Sequence, residues 1–96
     1  MRIRWLPDAE QSLDDQVSYL ATENPAAAVA SGDAVHAAVE RLSEFPLSAR
    51  SGRVKGTREL VVLGTPYVVI YRVTADAVTI MRVLHGRQRW PPKRKS

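Results

Sequence analysis

Pro66-Tyr67-Val68-Val69-Ile70-Tyr71-Arg72-Val73, with Val78 to Leu84 beyond a turn at Ala75-Asp76, is the stretch that decides the fold. β-Branched and aromatic residues dominate both runs and turn residues bound them, which predicts two antiparallel strands, Tyr67 to Val73 and Val78 to Leu84. Just upstream, Leu60 to Leu63 and the turn residues Gly64-Thr65-Pro66 predict a third strand of the same meander. Tyr67, Val69, Tyr71 and Val73 point one way while Val68, Ile70 and Arg72 point the other, so both faces are partly apolar. One face is expected to carry helices and the other to stay open.

The helices lie before the meander. Arg2 to Leu6 alternates basic and apolar side chains, the period-two pattern of a short edge strand. Pro7 pre-sets a helical dihedral, and Asp8 and Glu10 suit the positive end of a helix dipole, so a helix is predicted from there to about Ala21. Its apolar stripe is Ala9, Leu13, Val17 and Leu20, with Asp14, Asp15 and Ser18 on the wet side. Asn24 before Pro25 is a second start signal, giving a helix to about Glu44 with the stripe Val29, Val35, Val39 and Leu42 and alanine as small filler. Phe45-Pro46-Leu47-Ser48 ends this two-helix hairpin, and Ser51-Gly52 with Gly56 reads as a flexible basic loop. The fold class expected is α+β: an N-terminal strand and a helical hairpin packed on a three- to four-stranded, mainly antiparallel sheet. Residues 1–91 should form one domain, and the basic tail 92–96 should be disordered.

The 96 residues include no cysteine, which excludes a disulfide framework, thiolate chemistry and a cysteine-based zinc site. Behind the first basic residues there is no apolar signal core, and nowhere an apolar run of ~18 residues, so a cytoplasmic chain without membrane contact is expected. Charge is the strongest compositional signal. Met1 to Ala49 carries three basic and eight acidic residues, formally −5, and the remainder eleven and two, formally +9, which together give the net +4. The second half should attract polyanions or acidic protein.

No metal or other cofactor is expected, since two separated histidines, His36 and His85, do not make a ligand set. His36 reads as a helix-surface residue. His85 could act as a general acid or base, or sit at a strand end bonded to the backbone, and the second reading is favoured. No nucleophile elbow, phosphate-cradling glycine loop or dinucleotide fingerprint is present. What stands out is the cationic set Arg53, Lys55, Arg58, Arg72, Arg82, Arg87 and Arg89, with Trp90 as an aromatic anchor. If antiparallel neighbours bring these together on the open face, they could hold phosphates or acidic side chains bidentately; the alternative is scattered surface charge. Sequence-specific DNA binding by this chain alone is not expected, because no recognition-helix or aromatic stacking motif accompanies the charge.

The order of strand, helical hairpin and meander, with Gly52-Arg53-x-x-Gly56-Thr57-Arg58-Glu59-Leu60, Pro66-Tyr67-Val68-Val69-x-Tyr71-Arg72-Val73 and Arg82-Val83-Leu84-His85, resembles the RelE/ParE toxin superfamily. In detail it is similar to the ParE, or plasmid-stabilisation, branch of type II toxin-antitoxin systems. RelE-like members cleave mRNA on the ribosome and characterised ParE-like members inhibit DNA gyrase. By strand order, the places of the RelE-type lysines fall here on Glu59 and Val61. Those of the two arginines fall on Val68 and near Gly86, and that of the tyrosine on Trp90-Pro91. The resemblance therefore implies no catalytic residues and a toxin that binds gyrase and is neutralised by a ParD-like antitoxin. The antitoxin is expected against Leu13, Val17, Leu20, Tyr67 and Tyr71, and the target against the cationic set and Trp90. The alternative is a RelE-like ribosome-dependent endoribonuclease with a site improvised from His85, Arg87 and Arg89.

Overall fold

The computed structural model describes residues 1–92, and most of the basic tail, residues 93–96, lies outside the described residues. Seven elements follow one another: β1 (Arg2–Trp5), α1 (Pro7–Glu23), α2 (Pro25–Arg41), β2 (Arg50–Ser51), β3 (Arg58–Val61), β4 (Tyr67–Val73) and β5 (Ala77–His85). They form a five-stranded sheet in the order β1-β5-β4-β3-β2, with β1 parallel to β5 and the remaining neighbours antiparallel. The α+β class and the helical hairpin are as expected, and β1 is an edge strand. The sheet is wider than the three to four strands expected, because Arg50 and Ser51, at the start of the segment read as a basic loop from Ser51, pair with Glu59 and Arg58.

Local chemistry accounts for the helix boundaries. Pro7 occupies the first turn of α1 and Asp8 and Glu10 complement its dipole. Asn24 separates the two helices: its N–H donates to Leu20 O at 2.8 Å, while its Oδ1 accepts from the Ala27 N–H at 3.1 Å, capping α2. One residue thus stops one helix and starts the next, which makes the hairpin tight. Arg41, not Glu44, is the last residue of α2.

The hairpin packs one face of the sheet. Ala9 and Leu13 of α1 and Val35, Ala38 and Val39 of α2, with Leu42 beyond it, meet Tyr67, Val69, Tyr71, Val78, Ile80 and Val83 in the main core. Ser12 fastens α1 to the sheet by accepting the Val83 N–H at 2.9 Å. Val29, assigned to the buried stripe of α2, is 66 % exposed; Ala28 takes the core position instead, one helical step of about 100° away.

A bulge sets which side chains of β5 face where. Ile70 pairs with Arg82 but Tyr71 with Ile80, so Met81 is an extra residue. Val78 and Ile80 face the helices, and after Met81 it is Val83 that does so, while Arg82 and Leu84 turn to the opposite face. That opposite face is not open as expected. Trp90 and Met81 pack on Val68, Ile70 and Leu84 in a second, smaller cluster, and Ile70 is 0 % exposed.

Candidate functional site

The register lines up Arg50, Glu59, Ile70 and Arg82 across β2, β3, β4 and β5. Cross-strand partners share a face, so this row runs over the sheet side away from the helices. At one end lies an ionic clasp. The Glu59 side chain, in a residue 2 % exposed, accepts from Arg53 Nη2 at 3.0 Å, Arg50 Nη2 at 3.1 Å and the Arg53 backbone N–H at 2.8 Å. Arg53 Nε reaches the second carboxylate oxygen at 3.1 Å, completing a two-nitrogen grip. The Arg53 guanidinium holds the Glu59 carboxyl at about 2, far below the usual range and against the opposing effect of burial. The same contact raises Arg53.

At the other end of the row, Arg82 lies over the Trp90 ring, 5.7 Å from its centre, and its Nη2 is 3.8 Å from Asp8. Trp90 is half-buried, and its indole N–H is enclosed without a partner. Arg72, exposed, stands on this same face two residues beyond Ile70.

The single cationic surface expected from the sequence is thus divided. Arg72 and Arg82 share the face away from the helices. Arg53 is there too but committed to Glu59. Arg58 is on the other face, partnered across the ladder with Tyr71, and its Nη1 donates to Ala49 O at 2.8 Å and Leu47 O at 3.4 Å. Lys55 is exposed on the turn between β2 and β3, and Arg87 and Arg89 are exposed beyond β5. Arg50 and Glu59 were missed. A lone acid inside a run of four cations, Arg50, Arg53, Lys55 and Arg58, was the available signal.

The residues expected to receive an antitoxin also divide. Leu13, on the inner face of α1, and Tyr67 and Tyr71, on the sheet beneath the hairpin, are 6 %, 3 % and 0 % exposed, because helices and sheet pack directly on one another. They therefore present no docking surface. Tyr71 donates its hydroxyl to Pro46 O at 2.8 Å, and burial pushes its phenol up. Val17 and Leu20 are half-buried. Among the described residues, the large apolar side chains that do face solvent are Met1, Tyr19, Val29, Phe45, Leu47, Val61 and Leu63. Val61, the last residue of β3, lies beyond Glu59, the last β3 residue that β2 pairs, so among the described residues this end of the β3 edge has no strand beside it; Leu63 follows in the turn to β4.

His85 ends β5. Its Nδ1 accepts from the Arg87 N–H at 3.2 Å and its own N–H donates to Gln88 Oε1 at 2.7 Å, the backbone-bonded arrangement favoured from the sequence. His36 is exposed on α2, its ring tilted against Trp5 at 5.4 Å. Among the described residues no group of three or more histidine and acidic side chains could hold a metal ion.

Comparison with known proteins places this geometry. Residues 3–90 match the model of the ParE toxin of type II toxin-antitoxin systems, parDE. The chain is 42 % identical over 90 residues to Y4kP, a candidate toxin of Sinorhizobium fredii, covering 94 % of this chain and 93 % of that one. Its fold is similar to a chain of the chromosomal ParDE toxin-antitoxin system from P. aeruginosa, with a TM-score of 0.79 and 22 % identity over 86 % of this chain and 92 % of that one.

Proposed function

We propose that this chain, which belongs to the ParE toxin family of type II toxin-antitoxin systems, inhibits DNA gyrase by binding it and is neutralised by a ParD-like antitoxin. The observation that carries the non-enzymatic part is what occupies the positions where RNA cleavage would need cations and acid-base groups. Glu59 is a carboxylate already saturated by two arginines, Val68 is buried, and Gly86 has no side chain. Cleavage requires activation of a ribose hydroxyl and stabilisation of extra negative charge on phosphorus. A locked carboxylate opposes the second requirement, and neither Val68 nor Gly86 serves either. Binding, by contrast, is served by Arg82 over the Trp90 ring, a cation beside an aromatic side chain on the sheet, with exposed Arg72 on the same face.

The antitoxin reading rests on complementarity. The basic second half favours an acidic partner segment, and exposed Val61 at the unpaired end of β3, with exposed Leu63 in the turn just beyond, offers a place for it to pair. The test adds the purified protein separately to a gyrase supercoiling reaction and to a translating-ribosome cleavage reaction. Inhibited supercoiling with intact mRNA is expected, and cleaved mRNA with gyrase untouched overturns the proposal. If the first result holds, Arg82→Glu should weaken gyrase inhibition by about tenfold or more, as loss of a central interface cation does.

A further inference from the structure

A second site lies on the opposite side of the clasp. Leu47, Gly52, Lys55, Gly56, Arg58 and Val73 line a pocket of about 440 Å³ where the turn between β2 and β3 meets the end of β4. We propose that this pocket receives an acidic side chain, Asp or Glu, from a partner segment that carries an apolar residue beside it. The inference rests on the antitoxin reading above and locates one anchor of that partner.

The charge accounting within the segment supports it. Four cations and one acid lie between Arg50 and Leu60. Glu59 is taken by Arg50 and Arg53, at 3.1 and 3.0 Å. Among the described residues, Lys55 and Arg58 have no carboxylate within 4.0 Å, so their charges are uncompensated inside one pocket. Arg58 is also held in place. Its Nη1 is bonded to the Ala49 and Leu47 carbonyls, which fixes the guanidinium while contributing no negative charge of a full ion. An incoming carboxylate would meet a preorganised cation, and little further side-chain ordering would be lost on binding.

The turn keeps the pocket clear. Gly56, at φ +84°, adopts a left-handed conformation that other residues rarely take. At Gly52 a side chain would drive its Cβ to 2.2 Å from Thr57 Oγ1, so the tight Gly52 to Thr57 closure, with N–H to O at 2.8 Å, requires glycine. The clasp and the two glycines together hold Lys55 at the rim. Two walls are apolar: Leu47, 63 % exposed, and half-buried Val73. That mixture favours a peptide over a nucleic acid, because a phosphodiester chain repeats a charge at every nucleotide whereas the pocket sets two cations against apolar walls, which suits one carboxylate beside one aliphatic side chain.

The full chain, labelled with ¹⁵N, is titrated with the capped peptide Glu-Leu-Glu-Leu, with Gln-Leu-Gln-Leu, and with a short oligothymidylate. Shifts at the amides of Gly52, Lys55, Gly56 and Val73 with the Glu peptide alone are expected. Lys55→Glu should raise its dissociation constant about tenfold and Leu47→Ala about threefold. Both positions are exposed, so neither variant should disturb folding. Equal shifts with the Gln peptide, shifts confined to other residues, or tighter oligonucleotide binding at the same amides overturn the pocket. Growth arrest on expression reports on the toxin reading alone. A chain that arrests growth yet ignores the Glu peptide overturns the pocket and leaves that reading standing.

Discussion

Against the helical hairpin, β4 and β5 present Val69, Tyr71, Val78, Ile80 and Val83, none with any exposed surface, and two whole helices cover them. On the other side of the same strands Ile70 is equally hidden, but its cover is a Trp90 ring, a Met81 side chain and the charged row ending in the Glu59 clasp. Equal exposure conceals different physics. The first face is held mainly by non-directional burial, which does not hang on the charge state of any side chain. The second depends on a few directional contacts and one aromatic ring, so it can respond to solution conditions and to partners. The two faces of one sheet are thus stabilised by different means.

The largest expected effect tests that division directly. Ile80→Ala leaves a cavity between helices and sheet that rigid elements cannot close, and should cost about 3 to 4 kcal/mol in urea unfolding followed by circular dichroism. Ile70→Ala removes the same atoms on the other face. There the ring and thioether above can settle into the gap, so a cost of about 2 kcal/mol is expected. If the two losses are equal, the cover on the second face is as rigid as the hairpin and the contrast between the faces collapses.

The clasp gives the next effect. Glu59→Gln keeps the shape but removes the charge that two arginines surround, and about 2 kcal/mol should be lost; both arginines are half exposed and regain water, which limits the damage. The pH dependence has a definite sign. The folded carboxyl sits at about 2, below its unfolded value near ~4.3, so its contribution is fully present above pH ~4.3 and is lost as pH falls toward 2. The difference in stability between the native chain and the Gln variant should therefore shrink across that window. A difference that is constant from pH 7 to 2 removes the clasp from the account.

Most of the helix-covered face could be read from the amino acids, because Ala9 and Leu13 repeat at helical spacing and Tyr67, Val69 and Tyr71 alternate at strand spacing. Val29 misled because an alanine beside a valine looks like the filler, yet it is Ala28 that is buried, in a helix that packs chiefly on α1. The second face was less legible for three reasons. The extra residue at Met81 reverses the alternation midway through β5, and nothing in Ile80-Met81-Arg82 announces it. Strand β2 is two polar residues long and exists where Glu59 draws Arg50 and Arg53 together, a tertiary cause with no periodic trace. Tyr67 and Tyr71, aromatic and hydroxylated, look equally suited to a core or to an interface, and only the hairpin packed above them decides for the core.

Trp90 supplies the smallest effect and the finest test of how the second face is closed. Its ring covers Ile70 and stacks with Arg82, but its indole N–H is enclosed with no acceptor. An unsatisfied enclosed donor costs about 1 to 3 kcal/mol, so replacing the indole by a ring without that group trades lost area against a removed penalty. Trp90→Phe should accordingly change stability by less than about 1 kcal/mol in either direction, although Trp is the larger side chain. Trp90→Ala removes the cover outright and should cost about 1 to 2 kcal/mol, less than a fully buried aromatic because the ring is half-exposed. If Phe is as damaging as Ala, the indole N–H is partnered in solution, and the segment after β5 grips the sheet by a directional bond instead of lying on it.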